Sequence, residues 1–215
     1  MTRRHVEYIF PTPLFISKIE DSSLLDDTIT SLNRLTVDDI ASEDALCKTT
    51  LDDLNLRYQF QDIKKVIDSE VRRVYDDLGV IRSKEIITCM WANMSKAANR
   101  HALHPHGNSY MSGVLYLSTP KDCGNIGFKD PRQGNEIIVP DYTEDSIFKN
   151  RTIEVEPKKG LLLMFPSWLY HWTKPHVDNF DRWNISFNVL PTGKINHNMA
   201  TDSTAHIKII NDTDQ

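Results

Sequence analysis

NRHALHPHGNSYMSGVLYLS, residues 99–118, places three of the chain's eight histidines within six positions and then runs without a break into an apolar, strand-forming segment. Its centre is His104-Pro105-His106. In an extended backbone, residues i and i+2 point to the same side. The proline keeps His104 out of the helical region, so both imidazoles are aimed at one point. A metal-binding pair has this form. An accidental surface cluster has it too, and a distant partner is needed to tell them apart.

Downstream of Gly79 the chain consists of short β-rich runs separated by turn residues, the pattern of a sandwich or barrel. The expected strands are Glu85 to Met94, Met111 to Leu117, Ile126 to Lys129, Arg151 to Val155, Leu161 to Phe165, Leu169 to Trp172, Trp183 to Leu190 and His206 to Ile210. About eight strands indicate a double-stranded β-helix, the jelly-roll or cupin-like architecture. Asp130 to Asn150, of mixed polarity and with two prolines, is long for a plain connection; such loops often serve as lids or binding loops. Asp130, Pro131 and Arg132 are expected near the barrel mouth.

Upstream, residues 6–20 read as an edge strand, because Pro11 and Pro13 cannot donate to an interior ladder. Ser22 or Ser23 caps a helix running to about Leu35, with Leu24, Leu25, Ile29 and Leu32 on one side and acids in its first turn. Residues 36–58 are acidic and poorly periodic and read as loop with at most one short helix. Gln59 to Leu78 carries an apolar stripe of Phe60, Ile63, Val66, Ile67, Val71, Val74 and Leu78, and Gly79 supplies the stop. The expectation is one mainly β domain with N-terminal helices: residues 1–80 a strand and helical buttress, residues 81–215 a jelly-roll catalytic core.

With 215 residues, 40% of them hydrophobic, the chain can fill one core but not two full domains. A net charge of -5 and a pI near 5.9 give no general basic surface, which argues against nucleic acid and anionic membranes as partners. Cys47, Cys89 and Cys123 are widely spaced and outside any C-x-x-C pattern, pointing to a reducing compartment. The N-terminus MTRRHVEYIF lacks an apolar signal core and no run approaches membrane-spanning length, so a cytoplasmic protein is expected. Nothing in the sequence specifies an oligomeric state.

The best distant partner for the histidine pair is His171, within GLLLMFPSWLYHWTKP, residues 160–175. This reads as an apolar strand, a Pro166-Ser167 turn, and a second strand on which Leu169, His171 and Thr173 share a face. Eleven residues further on, Arg182 opens RWNISFNVLP, where Arg182, Asn184, Ser186 and Asn188 alternate with Trp183, Ile185, Phe187 and Val189. A polar inner face headed by arginine requires an anion, because a buried guanidinium is costly alone. A carboxylate held bidentately would meet that requirement. The other reading is the solvated face of an edge strand, with Arg182 paired to a nearby acid. His101 is a spare ligand candidate, ranked below His104 because its spacing to His104 is helical in an extended segment. His176 is expected at the surface.

In combination, His-x-His, SGVLYL, the Gly-apolar-FPSWLYH segment, and Arg heading an alternating strand that carries FN resemble the 2-oxoglutarate/Fe(II)-dependent oxygenase superfamily. Within it the chain is similar to a branch found in marine bacteria and their phages, which would put it in a host cytoplasm if phage-encoded. The resemblance spans roughly Trp91 to Pro191, with weaker agreement at FPTPLF near the N-terminus. It implies that His104, His106 and His171 bind Fe(II), and that Arg182 binds the distal carboxylate of the cosubstrate 2-oxoglutarate. It further implies that Asn93, Tyr116 and Ser186 hydrogen-bond that cosubstrate. The reaction it implies uses O2 and couples decarboxylation of 2-oxoglutarate to oxidation of a C–H bond, by default as a hydroxylase, on an unidentified substrate.

One departure bears on the metal. The superfamily usually has an acid where this chain has His106, and three neutral imidazoles also suit zinc, copper, nickel or manganese. Two other readings therefore stand beside the oxygenase. One is a cupin-like metalloenzyme, an isomerase or a dioxygenase needing no keto acid, which has no use for Arg182. The other is a noncatalytic jelly-roll binding module.

Overall fold

A computed structural model describes residues 3–80, 85–132, 137–138, 140–144, 146–177, 180–195 and 205–207. The N-terminal prolines deliver a short strand, Phe15–Lys18 (β1), to the edge of the larger sheet. It is shorter than the expected segment. Helix α1, Ser22–Leu32, is capped by Asp21, whose carboxylate accepts from the Leu24 N–H at 3.0 Å. Neither serine is the cap and no acid lies in the first turn, because the aspartate just outside the helix already serves the exposed N–H groups.

Residues 36–58 depart most from expectation. After a 3-10 turn at Val37–Asp39 come two strands, Ile40–Glu43 (β2) and Cys47–Thr50 (β3). Their order comes from pairing, β3 onto the long neighbouring strand Glu85–Ser95 (β4) and β2 onto β3, which a local reading of periodicity does not register. Helix α2, Gln61–Asp77, follows a 3-10 lead-in at Tyr58–Phe60 and stops before Gly79, which has φ 64°.

The remaining strands are His101–His104 (β5), Met111–Ser118 (β6), Ile126–Lys129 (β7), Thr152–Val155 (β8), Leu161–Pro166 (β9), His171–Thr173 (β10), Arg182–Pro191 (β11), Gly193–Ile195 (β12) and Ala205–Ile207 (β13). Neither β5 nor β12 is among the expected strands. The strand expected from Leu169 begins at His171, since the Leu169 N–H is spent on the Pro166 carbonyl in the preceding turn. Of the expected strand from His206 to Ile210, residues 208–210 lie outside the described residues.

Among the described residues the strands form a seven-stranded sheet ordered β1-β9-β6-β11-β4-β3-β2, a four-stranded sheet ordered β5-β10-β7-β8, and the β12-β13 ladder, all antiparallel. This is the double-stranded β-helix. One face of the larger sheet packs Met90, Leu115, Met164, Ile185, Phe187 and Val189 against Leu25 and Leu32 of α1 and Ile63, Ile67, Val71 and Val74 of α2. The other face turns Val114, Tyr116, Leu163 and Phe165 toward Ile126 and Phe128 of the smaller sheet. Strand β11 therefore sits at the centre of its sheet, with apolar side chains toward the helices and polar ones toward the barrel interior. No described helix is long and apolar enough to cross a membrane.

Candidate metal and anion site

The His-Pro-His segment lies where β5 ends. His104 closes β5 opposite His171 of β10, and the His106 N–H donates to the Ser167 carbonyl at 2.8 Å, so the backbone holds one end of the pair against β10 and the other against the β9-β10 turn. One ring nitrogen from each of His104, His106 and His171 falls in a cluster whose atoms all lie within 4.8 Å of one another. The Nε2 atoms of His106 and His171 are 3.3 Å apart. Two imidazoles bound to one ion at roughly 2.0–2.1 Å bring their nitrogens to about that separation.

The tautomers agree with such a role. His104 Nδ1 donates to the Ala102 carbonyl at 2.7 Å and His171 Nδ1 to the Leu169 carbonyl at 3.0 Å. A carbonyl can only accept, so each ring carries its proton on Nδ1 and leaves Nε2 as a lone-pair donor. Burial pulls the pKa of His106 down to about 4, with the neighbouring His104 adding to it. Burial likewise lowers His171 to about 4, against the opposing effect of its bond to Leu169. Both are neutral near pH 7, as metal ligation requires. Trp91 packs beside His106 with ring centroids 5.8 Å apart, and Phe165 beside His171 at 4.7 Å, which screens the cluster from water.

A cavity of about 90 Å³ runs from this cluster into the barrel. Arg182 lines it and is fully buried. Its Nη1 donates to the Cys123 carbonyl at 2.9 Å and more weakly to the Gly124 carbonyl at 3.5 Å. Its Nε and Nη2 have no hydrogen-bond partner among the described residues. Those two donors form one edge of the guanidinium fork, the geometry that takes both oxygens of a carboxylate. The solvated-edge reading of this strand is therefore wrong: β11 is central and Arg182 has no ion pair among the described residues.

Asn93, Tyr116 and Ser186 line the same cavity. Asn93 accepts from Thr49 Oγ1 at 2.9 Å and donates to Asn184 Oδ1 at 3.2 Å, while Ser186 donates to Asn184 Oδ1 at 3.3 Å. Burial raises the Tyr116 phenol above its ordinary pKa, partly offset by the Arg182 charge, so it stays a hydroxyl donor. No acidic side chain is among the described lining residues.

Trp91, Asn184 and Thr173 also line the cavity without having been singled out as candidates; the period-2 alternation of β4 and β11 carried the signal for the first two. His101 enters it as well. His176, expected at the surface, is fully buried; the chain after Pro175 folds back so that the His176 carbonyl accepts from the Ala98 N–H at 2.9 Å. Phe128, the ladder partner of His171, lines a second cavity of about 490 Å³. Leu169, the ion-paired Asp130 and Arg132, and Tyr8 and Phe10 of the N-terminal arm line it as well.

Residues 89–188 match the model of a family described as "Putative 2OG-Fe(II) oxygenase". Among curated proteins, none matches the chain in sequence. Solved structures share the fold. HygX from Streptomyces hygroscopicus, with nickel and 2-oxoglutarate bound, is 14% identical with a TM-score of 0.62, over 84% of each chain. A prolyl-4-hydroxylase from Pseudomonas putida is 13% identical with a TM-score of 0.59, over 85% of this chain and 94% of its own. The non-heme alpha ketoglutarate dependent epimerase SnoN from nogalamycin biosynthesis is 10% identical with a TM-score of 0.65, over 85% of this chain and 79% of its own. At these identities the likeness carries the fold, not the reaction.

Proposed function

We propose that the chain is a 2-oxoglutarate- and Fe(II)-dependent oxygenase whose reaction is hydroxylation of a C–H bond. The observation that carries this reading is the open Nε–Nη2 edge of Arg182, buried at the end of a cavity that begins at three clustered imidazoles. A buried guanidinium edge without a partner is costly, and a carboxylate removes the cost. A cupin-like enzyme that binds no keto acid, or a noncatalytic module, leaves that edge unexplained.

In this reading His104, His106 and His171 hold the iron through Nε2. Arg182 takes the distal carboxylate of 2-oxoglutarate, with the Cys123 and Gly124 carbonyls holding its far side. Tyr116 and the remaining amide N–H of Asn93 donate to the same ligand, and Ser186 joins them by turning its hydroxyl from Asn184 Oδ1 to the ligand. Three imidazoles and an arginine with no acid among the described lining residues suit a dianion. When bound, iron with 2-oxoglutarate and O2 supplies oxidative decarboxylation coupled to oxidation of a C–H bond. The aromatic and apolar walls from Trp91, Phe165 and Val114 exclude water from that end of the barrel.

The larger cavity beside Phe128 is the proposed substrate side, with Asp130, Pro131 and Arg132 on its wall. We take the chain to act as one catalytic unit, residues 1–80 buttressing the 81–215 core. All three cysteines are free, which supports a cytoplasmic setting. The test is turnover without substrate: iron-loaded protein in air should convert 2-oxoglutarate to succinate slowly, and Arg182→Met should not. Equal conversion by both proteins rejects the reading.

A further inference from the structure

We propose that His101 is a second recognition residue for the distal carboxylate of the 2-oxo acid, donating a hydrogen bond beside the open edge of Arg182. This deepens the oxygenase reading and rests on it.

His101 and His104 are three apart, and in a regular strand they would face opposite ways. The ladder between β5 and β10 is irregular here: His171 pairs with His104 and Thr173 with His101, so three steps on β5 meet two on β10. That extra residue is a β-bulge, and it brings both histidines to the cavity. Bulges re-aim side chains beside sites of chemistry. A second contact fixes the backbone, since the His101 N–H donates to Thr173 Oγ1 at 2.9 Å.

The row matters as much as the face. His104 belongs to the row of His171 and Phe128, whereas His101 belongs to the row of Thr173 and Ile126, two residues along β10. Two residues of strand span about 6.6 Å, on the order of the reach of a five-carbon diacid from its keto end to its far carboxylate. The row of Thr173 is the one next to Lys174, whose carbonyl lies against Gly124, and the Gly124 carbonyl accepts from Arg182 Nη1. His101 is thus displaced from the proposed metal toward Arg182, whose charge also acts on it, after burial, in lowering its pKa. The ring makes no hydrogen bond to any described residue, and a neutral imidazole retains one N–H to give. A carboxylate has about four lone-pair directions. The Arg182 edge uses two of them, so acceptor capacity is left for His101 and Tyr116.

The experiment compares two ligands on metal-loaded, anaerobic protein: 2-oxoglutarate, and 2-oxopentanoate, which has the same keto acid end and a methyl in place of the distal carboxylate. His101→Leu should keep stoichiometric iron, weaken 2-oxoglutarate roughly tenfold or more, and leave 2-oxopentanoate unchanged. His101→Asn, which restores a donor, should recover part of the loss. Equal weakening of both ligands, undiminished 2-oxoglutarate affinity in both variants, or loss of iron from both overturns the proposal. If the unaltered protein fails to bind 2-oxoglutarate, the oxygenase reading itself has failed; if it binds and His101 makes no difference, only this inference has.

Discussion

The Nε2 atoms of His106 and His171 face each other at 3.3 Å, although the residues are 65 positions apart. The His171 Nδ1–H donates to the Leu169 carbonyl, so its Nε2 is a lone pair, and the contact is favourable only with a proton or a cation between the rings. A metal ion satisfies His104 at the same time. His106→Ala and His171→Ala are each expected to abolish stoichiometric iron, measured by metal analysis after desalting, while circular dichroism stays native. Undiminished metal in either variant would contradict the ligand assignment.

Proton competition gives a pH dependence with a definite sign. His106 and His171 have folded pKa values of about 4, against 6.5 ordinarily. Between those values the unfolded chain binds protons that the folded chain refuses. The stability of the metal-free protein is therefore full above about pH 6.5 and falls as the pH drops toward 4, by an amount on the order of a few kcal/mol for the pair. Urea melts near neutrality and at about pH 5 should show this loss in metal-free protein. Bound zinc or iron should raise the midpoint at both pH values without reducing this loss, because liganded imidazoles refuse protons at least as strongly while the unfolded chain binds them as before. A melt independent of pH over this range would mean that the imidazoles are not held neutral.

Much of this was legible in the sequence, for identifiable reasons. Pro105 sets the backbone of its own histidine pair, and the alternation in β11 announces an inner polar face, so His104, His106 and Arg182 could be singled out locally. Strands β2 and β3 could not, since β3 is ordered by β4 and β2 by β3 rather than by their own pattern. The presence of His101 at the same cavity could not be read locally either, since a bulge between β5 and β10 breaks the period that spacing arguments depend on. The burial of His176 comes from a backbone contact to Ala98, a relation between distant segments.

Arg182→Lys separates cosubstrate binding from metal binding. A lysine places one compact charge where the guanidinium offers a planar fork. Iron content should be unchanged, and 2-oxoglutarate affinity should drop by roughly tenfold to a hundredfold, as expected for losing one charge-assisted bond of a pair. Calorimetric titration reads this directly, and affinity equal to that of the unaltered protein would show that the fork is not used.

Gly124 holds the far side of that arginine. It has φ 71°, and a Cβ there would lie 2.3 Å from the Lys174 carbonyl oxygen. Gly124→Ala therefore meets both backbone strain and a clash with main chain, and should cost at least about 1–3 kcal/mol. It should also loosen the Cys123 carbonyl that anchors Arg182. Thermal melting should show a lowered midpoint together with weakened 2-oxoglutarate binding; an unchanged midpoint would contradict the role given to this turn.

The central claim is that three histidines and Arg182 together form one binding site for iron and 2-oxoglutarate. Its most direct test is an anaerobic titration of 2-oxoglutarate into protein loaded with ferrous iron, followed by visible absorption. The expected result is a metal-to-ligand charge-transfer band that saturates at one equivalent, is absent from His171→Ala, and needs a higher concentration in Arg182→Lys. Iron bound at full stoichiometry with no band and no thermal shift on adding 2-oxoglutarate would contradict the claim.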